Sequence, residues 1–284
     1  MNVKPVALIT GASSGIGKVT ADKLIAAGYR VYGTSRRGRP AGDHAFPLLM
    51  LDVTNDDSVT AAIEELLQRE GRIDLLVNNA GYGIAPAAAE ESSIGQAKHL
   101  FDTNFFGMVR MTCAVIPQMR RQGGGRIINI GSIIGLIPLP YVVLYAASKH
   151  AVEGYSEALD HELRTQGIRV SVIEPAYTRT GFESNSQQAD LPLEEYAAIR
   201  NKLTAVVSQA MAKAEQPESV ADVIVKVAQS TQPKRRYTVG KLAGRLAFLR
   251  RFAPAGLLDK AVRNSLQLDD RRATEPKGQR ANGE

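Results

Sequence analysis

The sequence predicts an α/β protein in which a doubly wound parallel sheet is flanked by helices. Short apolar runs with strand character alternate with longer amphipathic stretches along residues 1–240, and this alternation is typical of parallel strands joined by crossover helices. The first apolar run, at residues 6–10, leads directly into a glycine-rich turn and a helix pattern. The chain has 284 residues, of which 44% are hydrophobic and 23% charged, so it is long enough to bury the core of such a sheet.

The glycine-rich turn after the first strand predicts a site for a dinucleotide pyrophosphate. Its spacing is Gly-x3-Gly-x-Gly, and the helix that follows ends near Gly28. The first glycine permits a tight turn, the second lets the backbone approach the phosphates, and the third lets the helix pack closely on the strand. The sheet is therefore predicted to be of the Rossmann type. The predicted phosphate contacts are Gly11, Ser13, Ser14, Gly15, Ile16 and Gly17.

The end of the second strand favours NADP(H) over NAD(H). An acidic residue there would bind the ribose hydroxyls of NAD, but the chain has Ser35, Arg36 and Arg37, with another base at Arg39. Guanidinium groups form planar, charge-assisted hydrogen bonds with a 2′-phosphate. Arg36 and Arg37 are thus predicted to bind NADP(H), and a solvated surface turn is the alternative.

The third strand pattern ends at Thr54 and carries two further predicted cofactor contacts. These are Asp52, placed to meet the adenine ring, and its neighbour Val53. An amphipathic helix is predicted over residues 56–70, with Asp57 or Thr54 as its N-cap.

The fourth strand ends in an amide-rich turn whose residues Asn79, Ala80 and Gly81 are predicted to contact the cofactor. A structural role for the asparagines of this turn is the alternative, and the two roles are compatible. One long helix is predicted over residues 94–122, with Asn104 near its middle.

Residues 126–149 carry the predicted reactive groups. Ser132 stands at the end of a strand, and Tyr145 and Lys149 are four residues apart on a helix predicted over 145–166, so they project from one face. The ammonium of Lys149 is expected to favour the phenolate and lower the pKa of Tyr145, while Ser132 is expected to hold a substrate carbonyl. The intervening loop is uncharged, and its side chains are predicted to line an apolar substrate pocket: Ile133, Ile134, Leu136, Ile137 and Leu139.

Together these motifs resemble the short-chain dehydrogenase/reductase family in its single-domain form. They follow the family's order and spacing from residue 6 to residue 180. The matching residues are 10–17, 78–81, Asn104, Ser132, 145–149 and the segment from Pro175 to Thr180.

The resemblance implies a nicotinamide cofactor and a catalytic tetrad of Asn104, Ser132, Tyr145 and Lys149. It implies that Asn104 anchors a water of the proton relay. It also implies that the turn containing Pro175, Thr178 and Thr180 covers the nicotinamide carboxamide, to which Thr180 bonds. Ala176 and Thr178 depart from the family's usual glycine and aliphatic residue, which affects the expected backbone geometry of this turn.

The predicted function is an NADP(H)-dependent oxidoreductase that transfers a hydride between the nicotinamide and a hydrophobic ketone, aldehyde or secondary alcohol. Steroid-like, retinoid-like and long-chain substrates all remain open. The alternative is a non-catalytic NADP(H)-binding sensor or scaffold, whose signature would be a broken tetrad. Relatives commonly form dimers or tetramers, so a homodimer or homotetramer is expected.

The positive charge of the chain is concentrated at its C-terminal end. The net charge is +6, and residues 231–284 hold 13 Lys/Arg against 5 Asp/Glu. Residues 241–272 are predicted to form amphipathic helices that pack on the domain or on a partner subunit, with an apolar stripe of Leu242, Leu246, Leu249 and Ala253. Contact of their basic face with a membrane surface is the alternative. Nucleic-acid binding is not expected, and residues 273–284 are predicted to be disordered.

Several other classes of protein do not fit the composition. Cys113 is the single cysteine, which leaves no intrachain disulfide and favours a reducing compartment. The N-terminus leads at once into a strand without a signal-peptide pattern, so a cytoplasmic protein is expected. The four histidines show no metal-ligand spacing. Two prolines and several polar residues interrupt the uncharged stretch within 126–149, which argues against a membrane span there.

Overall fold

A computed structural model describes residues 4–37, 44–266 and 268 of the chain. Strands and helices alternate along most of it. The strands are β1 (Val6–Ile9), β2 (Arg30–Ser35), β3 (Leu48–Met50), β4 (Leu75–Asn78), β5 (Gly125–Ile130), β6 (Ile168–Pro175) and β7 (Arg236–Val239). The helices are α1 (Gly15–Ala26), α2 (Asp56–Glu70), α3 (Ile94–Phe101), α4 (Gly107–Arg121), α5 (Val143–Leu163), α6 (Ala197–Ala212), α7 (Pro217–Gln229), α8 (Gly240–Phe252) and α9 (Ala255–Ser265).

The seven strands form one parallel sheet in the order β3-β2-β1-β4-β5-β6-β7. The strand order reverses between β1 and β4, and ligands of doubly wound sheets bind at the carboxyl ends of the strands beside this point. The predicted doubly wound, Rossmann-type sheet is confirmed.

The core consists of two apolar layers, one on each face of the sheet, because alternate residues of each strand point to opposite faces. One layer packs side chains such as Leu8, Leu76 and Ile127 against α2, α4 and α5. The other packs Ile9 and Ile128 with their neighbours against α1 and α7. Burial on both faces explains why the central strands read as continuous apolar runs.

Two element boundaries differ from the sequence predictions because side chains make local hydrogen bonds. The third strand ends at Met50 rather than Thr54, since both the backbone N–H and the hydroxyl of Thr54 donate to Asp52 Oδ1, at 2.9 and 2.7 Å. The N-cap of α2 is neither Asp57 nor Thr54 but Asn55, whose Oδ1 accepts a hydrogen bond from the Ser58 N–H at 2.8 Å.

Two helix predictions also need correction. The helix predicted over 94–122 is divided into α3 and α4 by one π-helical segment, Asp102–Phe106, which contains Asn104. The helix predicted over 145–166 begins earlier, at Val143, and ends as α-helix at Leu163, after which Arg164–Gln166 is a 3-10 turn.

The helices α8 and α9 follow β7 at the edge of the sheet. Their buried side chains are Ala243 and Leu258, whereas Leu242 and Leu249 of the predicted stripe are 49% and 40% exposed. The other two residues of the stripe, Leu246 and Ala253, are half-buried, and packing of these helices on the domain or on a partner subunit stays a prediction. No helix among the described residues is long and apolar enough to cross a membrane. The prediction of a disordered tail at 273–284 falls outside the described residues.

Candidate functional site

The predicted site residues meet at the carboxyl ends of β1, β4, β5 and β6. Ser132 follows β5, while Tyr145 and Lys149 lie in the first two turns of α5. Ser132 is the N-cap of the 3-10 turn Ile133–Gly135, and its Oγ accepts a hydrogen bond from the Ile134 N–H at 3.2 Å. This bond fixes the hydroxyl at the start of the loop that leads to Tyr145.

Lys149 is buried and anchored to the strand beneath it. Its Nζ donates a 2.8 Å hydrogen bond to the carbonyl of Ile130, the last residue of β5, and lies 5.7 Å from the centroid of the Tyr145 ring. Burial lowers the pKa of Lys149 to about 8, and the Glu153 carboxylate opposes this shift. The ammonium is therefore held in the site at neutral pH but is easier to deprotonate than that of an exposed lysine.

The predicted lowering of the Tyr145 pKa by Lys149 is wrong for the protein alone. Burial raises the pKa of Tyr145 to about 12, and only a side-chain hydrogen bond with Ser132 opposes it. The physical reason is that the protein atoms around the half-buried phenol limit the water that would solvate a phenolate, which disfavours the charged form. The same surroundings keep the phenol proton in place at neutral pH.

A buried acidic pair lies behind Lys149. Glu153, one helical turn further along α5, accepts a 2.9 Å hydrogen bond from Arg236 Nε, and Glu174 of β6 lies beside it. Burial and the charge of Glu153 raise the pKa of Glu174 to about 8. Burial also raises the pKa of Glu153, although the positive charges of Arg236 and Lys149 oppose this shift. The pair therefore holds a proton at neutral pH, so that one negative charge remains near Lys149.

Asn104 joins the π-helical segment to the loop after β4. Its Nδ2 donates to the Tyr82 carbonyl at 2.8 Å, and its Oδ1 accepts from the Tyr82 N–H at 3.0 Å. Nδ2 is also 3.4 Å from the Ser148 hydroxyl on α5. Asn104 thus connects three elements around Tyr145 and Lys149, and the π-helical bulge is the local distortion that accommodates it.

The glycine-rich turn has the geometry that a pyrophosphate needs. Gly11 and Gly15 have φ values of +65° and +55°, which favour glycine, and a Cβ on Gly17 would lie only 2.5 Å from the carbonyl oxygen of Gly11. No side-chain hydrogen bond caps α1, whose N-cap is Ser14, and the first turn contains no acidic residue. Its N–H groups and positive dipole end are therefore suited to an anion.

Asn79 holds this turn against the fourth strand. Its Nδ2 donates to the carbonyls of both Thr10 and Gly11 at 3.0 Å, and its backbone N–H donates to the Thr10 hydroxyl at 2.9 Å. Ala80 N–H donates to the same hydroxyl at 3.0 Å, and Gly81 lies against Asn104. Asn79 thus has the structural role that was the alternative for this turn, since it joins the turn to the end of β1. Contact of Asn79, Ala80 and Gly81 with the cofactor stays a prediction.

The predicted adenosine side of the site is formed by the ends of β2 and β3. Arg36 and Arg37 are exposed after β2, and Val53 is buried near Asp52. Burial acts to raise the pKa of Asp52, but hydrogen bonds from Thr54 and the Arg36 charge together lower it. Asp52 therefore stays ionised close to Arg36. Arg39 lies outside the described residues.

The segment after β6 folds back over the glycine-rich turn. Thr180 lies over Gly15, because a Cβ added to Gly15 would be 3.4 Å from the Cβ of Thr180. Thr178 donates through its hydroxyl to the Ala176 carbonyl at 3.3 Å, and Pro175 is the last residue of β6. Thr180 is thus the residue of this segment that the structure places nearest the predicted phosphate site.

Sequence reasoning missed Phe182 as a site residue. The centroid of its ring lies 5.7 Å from the centroid of the Tyr145 ring. The ring also packs on Gly83, where a side-chain Cβ would come within 3.0 Å of the ring edge. The segment beyond it is fixed over the cleft by backbone bonds from Gln187 N–H to the Gly83 carbonyl and from Ala85 N–H to the Gln187 carbonyl, at 2.9 and 2.8 Å. No local pattern marks this contact, which depends on a turn more than thirty residues after Tyr145.

An apolar crevice borders Tyr145. Its lining comes from the segment that follows β4, from the end of the loop after Ser132 and from the first turn of α5. Among the lining residues are Ile84, Ala85, Ala87, Tyr141, Val142 and Leu144. Ile133 and Ile137, which were expected to line a pocket, are buried in the protein. Ile134 and Leu139 are half-buried, and their contact with substrate stays a prediction.

The fold and the site define a nicotinamide-dependent oxidoreductase. The family model described as "short chain dehydrogenase" matches residues 5–191, and the chain belongs to the short-chain dehydrogenase/reductase family. It is 39% identical over 262 residues to a protein of Bacteroides thetaiotaomicron named "3-ketodihydrosphingosine reductase", with 91% of this chain and 96% of that protein covered.

Solved structures agree with this assignment. A short-chain dehydrogenase from Streptomyces avermitilis superposes with a TM-score of 0.80 at 30% identity, covering 95% of this chain and all of that one. The 3-ketoacyl-(acyl-carrier-protein) reductase of Brucella melitensis, complexed with NADH, gives a TM-score of 0.70 at 26% identity, covering 83% and 96%. The family binds nicotinamide cofactors and acts on carbonyl and alcohol groups.

Proposed function

We propose that this protein is an NADP(H)-dependent reductase or dehydrogenase of a hydrophobic ketone, aldehyde or secondary alcohol. The observation that carries the proposal is the grouping of Ser132, Tyr145 and Lys149 at the carboxyl ends of the strands, beside a glycine-rich turn shaped for a pyrophosphate. A sensor or scaffold without turnover would not need these groups, and all four tetrad positions are intact.

Tyr145 is proposed to be the general acid in carbonyl reduction. When bound, the nicotinamide cofactor supplies the hydride that adds to the carbonyl carbon. Tyr145 donates its phenol proton to the carbonyl oxygen, which becomes the alcohol hydroxyl. Ser132 hydrogen-bonds to the same oxygen as negative charge develops there, and this stabilisation is strongest in a site that excludes water.

Lys149 and Asn104 are proposed to support this proton transfer. The Lys149 ammonium, held by the Ile130 carbonyl, stabilises the tyrosinate that is left after the proton has gone. It is also the group expected to hold the ribose hydroxyls of the cofactor. Asn104, which connects the loop after β4 to the helix carrying Tyr145, is expected to position the proton relay.

Preference for NADP(H) is proposed from the charges after β2. Arg36 and Arg37 are exposed there and offer guanidinium groups to a 2′-phosphate. Asp52, which follows β3 and is held by the Thr54 hydrogen bonds to its Oδ1, is the residue proposed to meet the adenine ring. The remaining proposed cofactor contacts are Gly11, Ser13, Ser14, Gly15, Ile16, Gly17, Val53, Asn79, Ala80, Gly81, Pro175, Thr178 and Thr180.

A long-chain ketone is the proposed substrate class. Apolar side chains such as Ile84 and Leu144 line the small crevice beside Tyr145, and the Phe182 ring lies 5.7 Å from the Tyr145 ring, centroid to centroid. The similarity to a protein named as a 3-ketodihydrosphingosine reductase favours the long-chain alternative over steroid-like or retinoid-like compounds. The family is commonly oligomeric, and a homodimer or homotetramer is proposed here as well.

A substrate panel monitored through NADPH absorbance tests the proposal. The purified protein is assayed with 3-ketodihydrosphingosine, a medium-chain ketone, a ketosteroid, retinal and a ketose sugar, each with NADPH and with NADH. We expect turnover of the long-chain ketone with NADPH and no turnover of the sugar. Failure across the whole panel, with NADPH binding intact, would favour the sensor function instead.

A further inference from the structure

The described chain ends in two helices that expose an unusual number of large apolar side chains. These are Leu242, Phe248, Leu249 and Phe252 on α8 and Leu257 on α9, and we call them the apolar face. Phe248 and Phe252 are each 63% exposed, Leu257 is 62% exposed, and Leu249 is 40% exposed. Single exposed apolar residues need no explanation, but a contiguous group of this kind marks an interaction surface.

The apolar residues of α8 lie on one side of the helix. Each residue advances about 100° around a helix axis, so Leu242 and Leu249, seven residues apart, lie one above the other. The rings of Phe248 and Phe252 are adjacent, with centroids 4.8 Å apart. The fully buried Ala243 lies on the opposite side, which faces the protein.

Cationic side chains are interleaved with this apolar face. Lys241 and Arg245 lie on the same side of α8 as the apolar face, whereas Arg250 is seven residues after Ala243 and lies with Arg251 on the other sides of the last turn. The Arg251 guanidinium lies 5.3 Å from the centroid of the Phe252 ring. No Asp or Glu occurs in Gly240–Phe252, and within the described part of the chain no ion pair joins these four cations to a carboxylate.

We propose that α8 and α9 seat the enzyme on an anionic membrane surface. Amphipathic helices that bind membranes insert aromatic and aliphatic side chains into the headgroup boundary and place Lys and Arg near the phosphates. The apolar face supplies the first set, and Lys241 and Arg245 on the same side of α8, with Arg251 against the Phe252 ring, supply the second. Because α8 lies in the plane of the surface, binding is peripheral and depends on anionic lipid.

The same charges argue against a second copy of this chain as the occupant. A symmetric dimer places the same patch of both subunits face to face. Two copies of α8 would then bring four cations together, Lys241 and Arg245 of each copy, without an acidic residue from either helix, and like charges across an interface are costly. A surface that supplies negative charge of its own avoids this repulsion.

The position of α8 connects the surface to the site. The helix starts at Gly240, immediately after β7, and packs beside the turn Ile133–Gly135 that follows Ser132. Docking through the outer side of α8 therefore holds the loop between Ser132 and Tyr145 close to the membrane. This inference does not depend on which carbonyl compound the enzyme uses.

A tryptophan probe tests the proposal directly, because the natural chain contains no Trp. Phe252→Trp places a single indole in the apolar face, and Ile94→Trp places one at a control site that is 72% exposed on α3. Vesicles of phosphatidylcholine alone are compared with vesicles of phosphatidylcholine and phosphatidylglycerol. We expect a blue shift of the Phe252→Trp emission with the anionic vesicles only, and no shift for Ile94→Trp.

Sedimentation of the full-length protein with the same vesicles measures the contribution of each group. Lys241→Gln with Arg245→Gln is expected to weaken binding about fivefold per charge removed. Phe248→Ser with Phe252→Ser is expected to weaken binding on the order of tenfold or more. The control variant, Lys213→Gln with Lys226→Gln, removes two exposed charges at the C-terminal end of α6 and on α7. It is expected to change vesicle binding little. Circular dichroism and thermal melting confirm that each variant is folded.

Three outcomes would overturn the proposal. One is an unshifted Phe252→Trp emission with anionic vesicles at low salt. Another is equal loss of binding in the α8 variants and in the lysine control, which would indicate nonspecific attraction to the whole protein. The third is a change of molecular mass by light scattering, without vesicles, in the Phe248→Ser and Phe252→Ser variant, which would show that the apolar face is a subunit interface.

Discussion

Replacing Lys149 by Met is expected to stabilise the fold while it destroys the activity. The methionine keeps much of the length of the lysine chain but brings no charge into the buried site. The pKa of Lys149 is lowered by burial from its usual value of 10.5 to about 8. Each pKa unit corresponds to about 1.4 kcal/mol, so placing the ammonium in this site costs about 3 kcal/mol of stability at neutral pH.

The loss of the Lys149 hydrogen bond offsets part of this gain. Nζ donates to the Ile130 carbonyl at 2.8 Å, and an unpaired buried carbonyl costs about 1 to 2 kcal/mol. Lys149→Met is therefore expected to raise the free energy of unfolding by about 1 to 2 kcal/mol at neutral pH. Turnover and cofactor affinity are both expected to fall, since the residue serves both.

The pH dependence gives the clearest test of this reasoning. Between about pH 8 and 10.5 the unfolded chain binds a proton at Lys149 that the native protein has already released. The stability of the wild type therefore rises with pH through this window relative to that of the variant. The advantage of Lys149→Met is present below pH 8 and is lost by about pH 10.5.

Urea unfolding of both proteins, without cofactor, across this pH range measures the difference. Lys213→Met is the matched control, because it makes the same substitution at an exposed site and is expected to have little effect at any pH. A difference between Lys149→Met and the wild type that stays constant with pH would refute the claim that burial of the ammonium costs stability.

Three further substitutions test other parts of the site. Arg36→Asp is expected to weaken NADPH binding about ten- to a hundredfold, since one charged hydrogen bond is worth about 1.5 to 3 kcal/mol. It is also expected to relax or reverse the preference for NADPH over NADH. A wild type that binds NADH about tenfold more tightly than NADPH would contradict this. Glu153→Gln removes the negative charge that supports the Lys149 ammonium, so Lys149 is expected to lose its proton at lower pH. The alkaline limb of the plot of kcat/KM against pH is therefore expected to move to lower pH. Superimposable profiles of the variant and the wild type would exclude this coupling. Phe182→Ala removes the ring that contacts Tyr145. It is expected to raise KM for a hydrophobic substrate about tenfold, given a loss of about 1.4 kcal/mol, and to leave the NADPH affinity unchanged. An equal loss of substrate affinity and NADPH affinity would indicate a general disturbance of the cleft.

Much of the sheet and of the glycine-rich turn was predictable because local signals and long-range packing agree there. The strand β1 is apolar at every position, as burial on both faces of a central strand requires. The glycines of the turn that follows occupy positions with positive φ or with no room for a Cβ. Tyr145 and Lys149 could be placed on one helical face from their spacing alone.

The electrostatics of the site could not be predicted in the same way. Spacing shows that Lys149 is near Tyr145, but the pKa of the phenol depends on how much water reaches it, and burial outweighs the attraction expected from the ammonium. The pairing of Glu153 with Glu174 depends on the register of α5 against β6, which residue patterns do not specify.

Tertiary contacts also decide the two elements for which the sequence was least informative. The π-helical segment around Asn104 has no distinct pattern of apolar residues, because it arises where the side chain bonds to Tyr82, a residue of another loop. On α8 the apolar spacing predicts a stripe that packs on the domain or on a partner subunit, and in the single chain Ala243 is buried whereas Leu242 is exposed. Periodicity identifies an amphipathic helix but does not show what its apolar side meets.

The rate of carbonyl reduction by Tyr145→Phe shows whether Tyr145 is the general acid. The substitution keeps the ring against Phe182 and removes only the hydroxyl, so fold and NADPH binding are expected to survive. Loss of the general acid is expected to lower the single-turnover rate on the order of a hundredfold to ten-thousandfold. A variant that binds NADPH normally and keeps more than about a tenth of the wild-type single-turnover rate would contradict the assignment of Tyr145 as the proton donor.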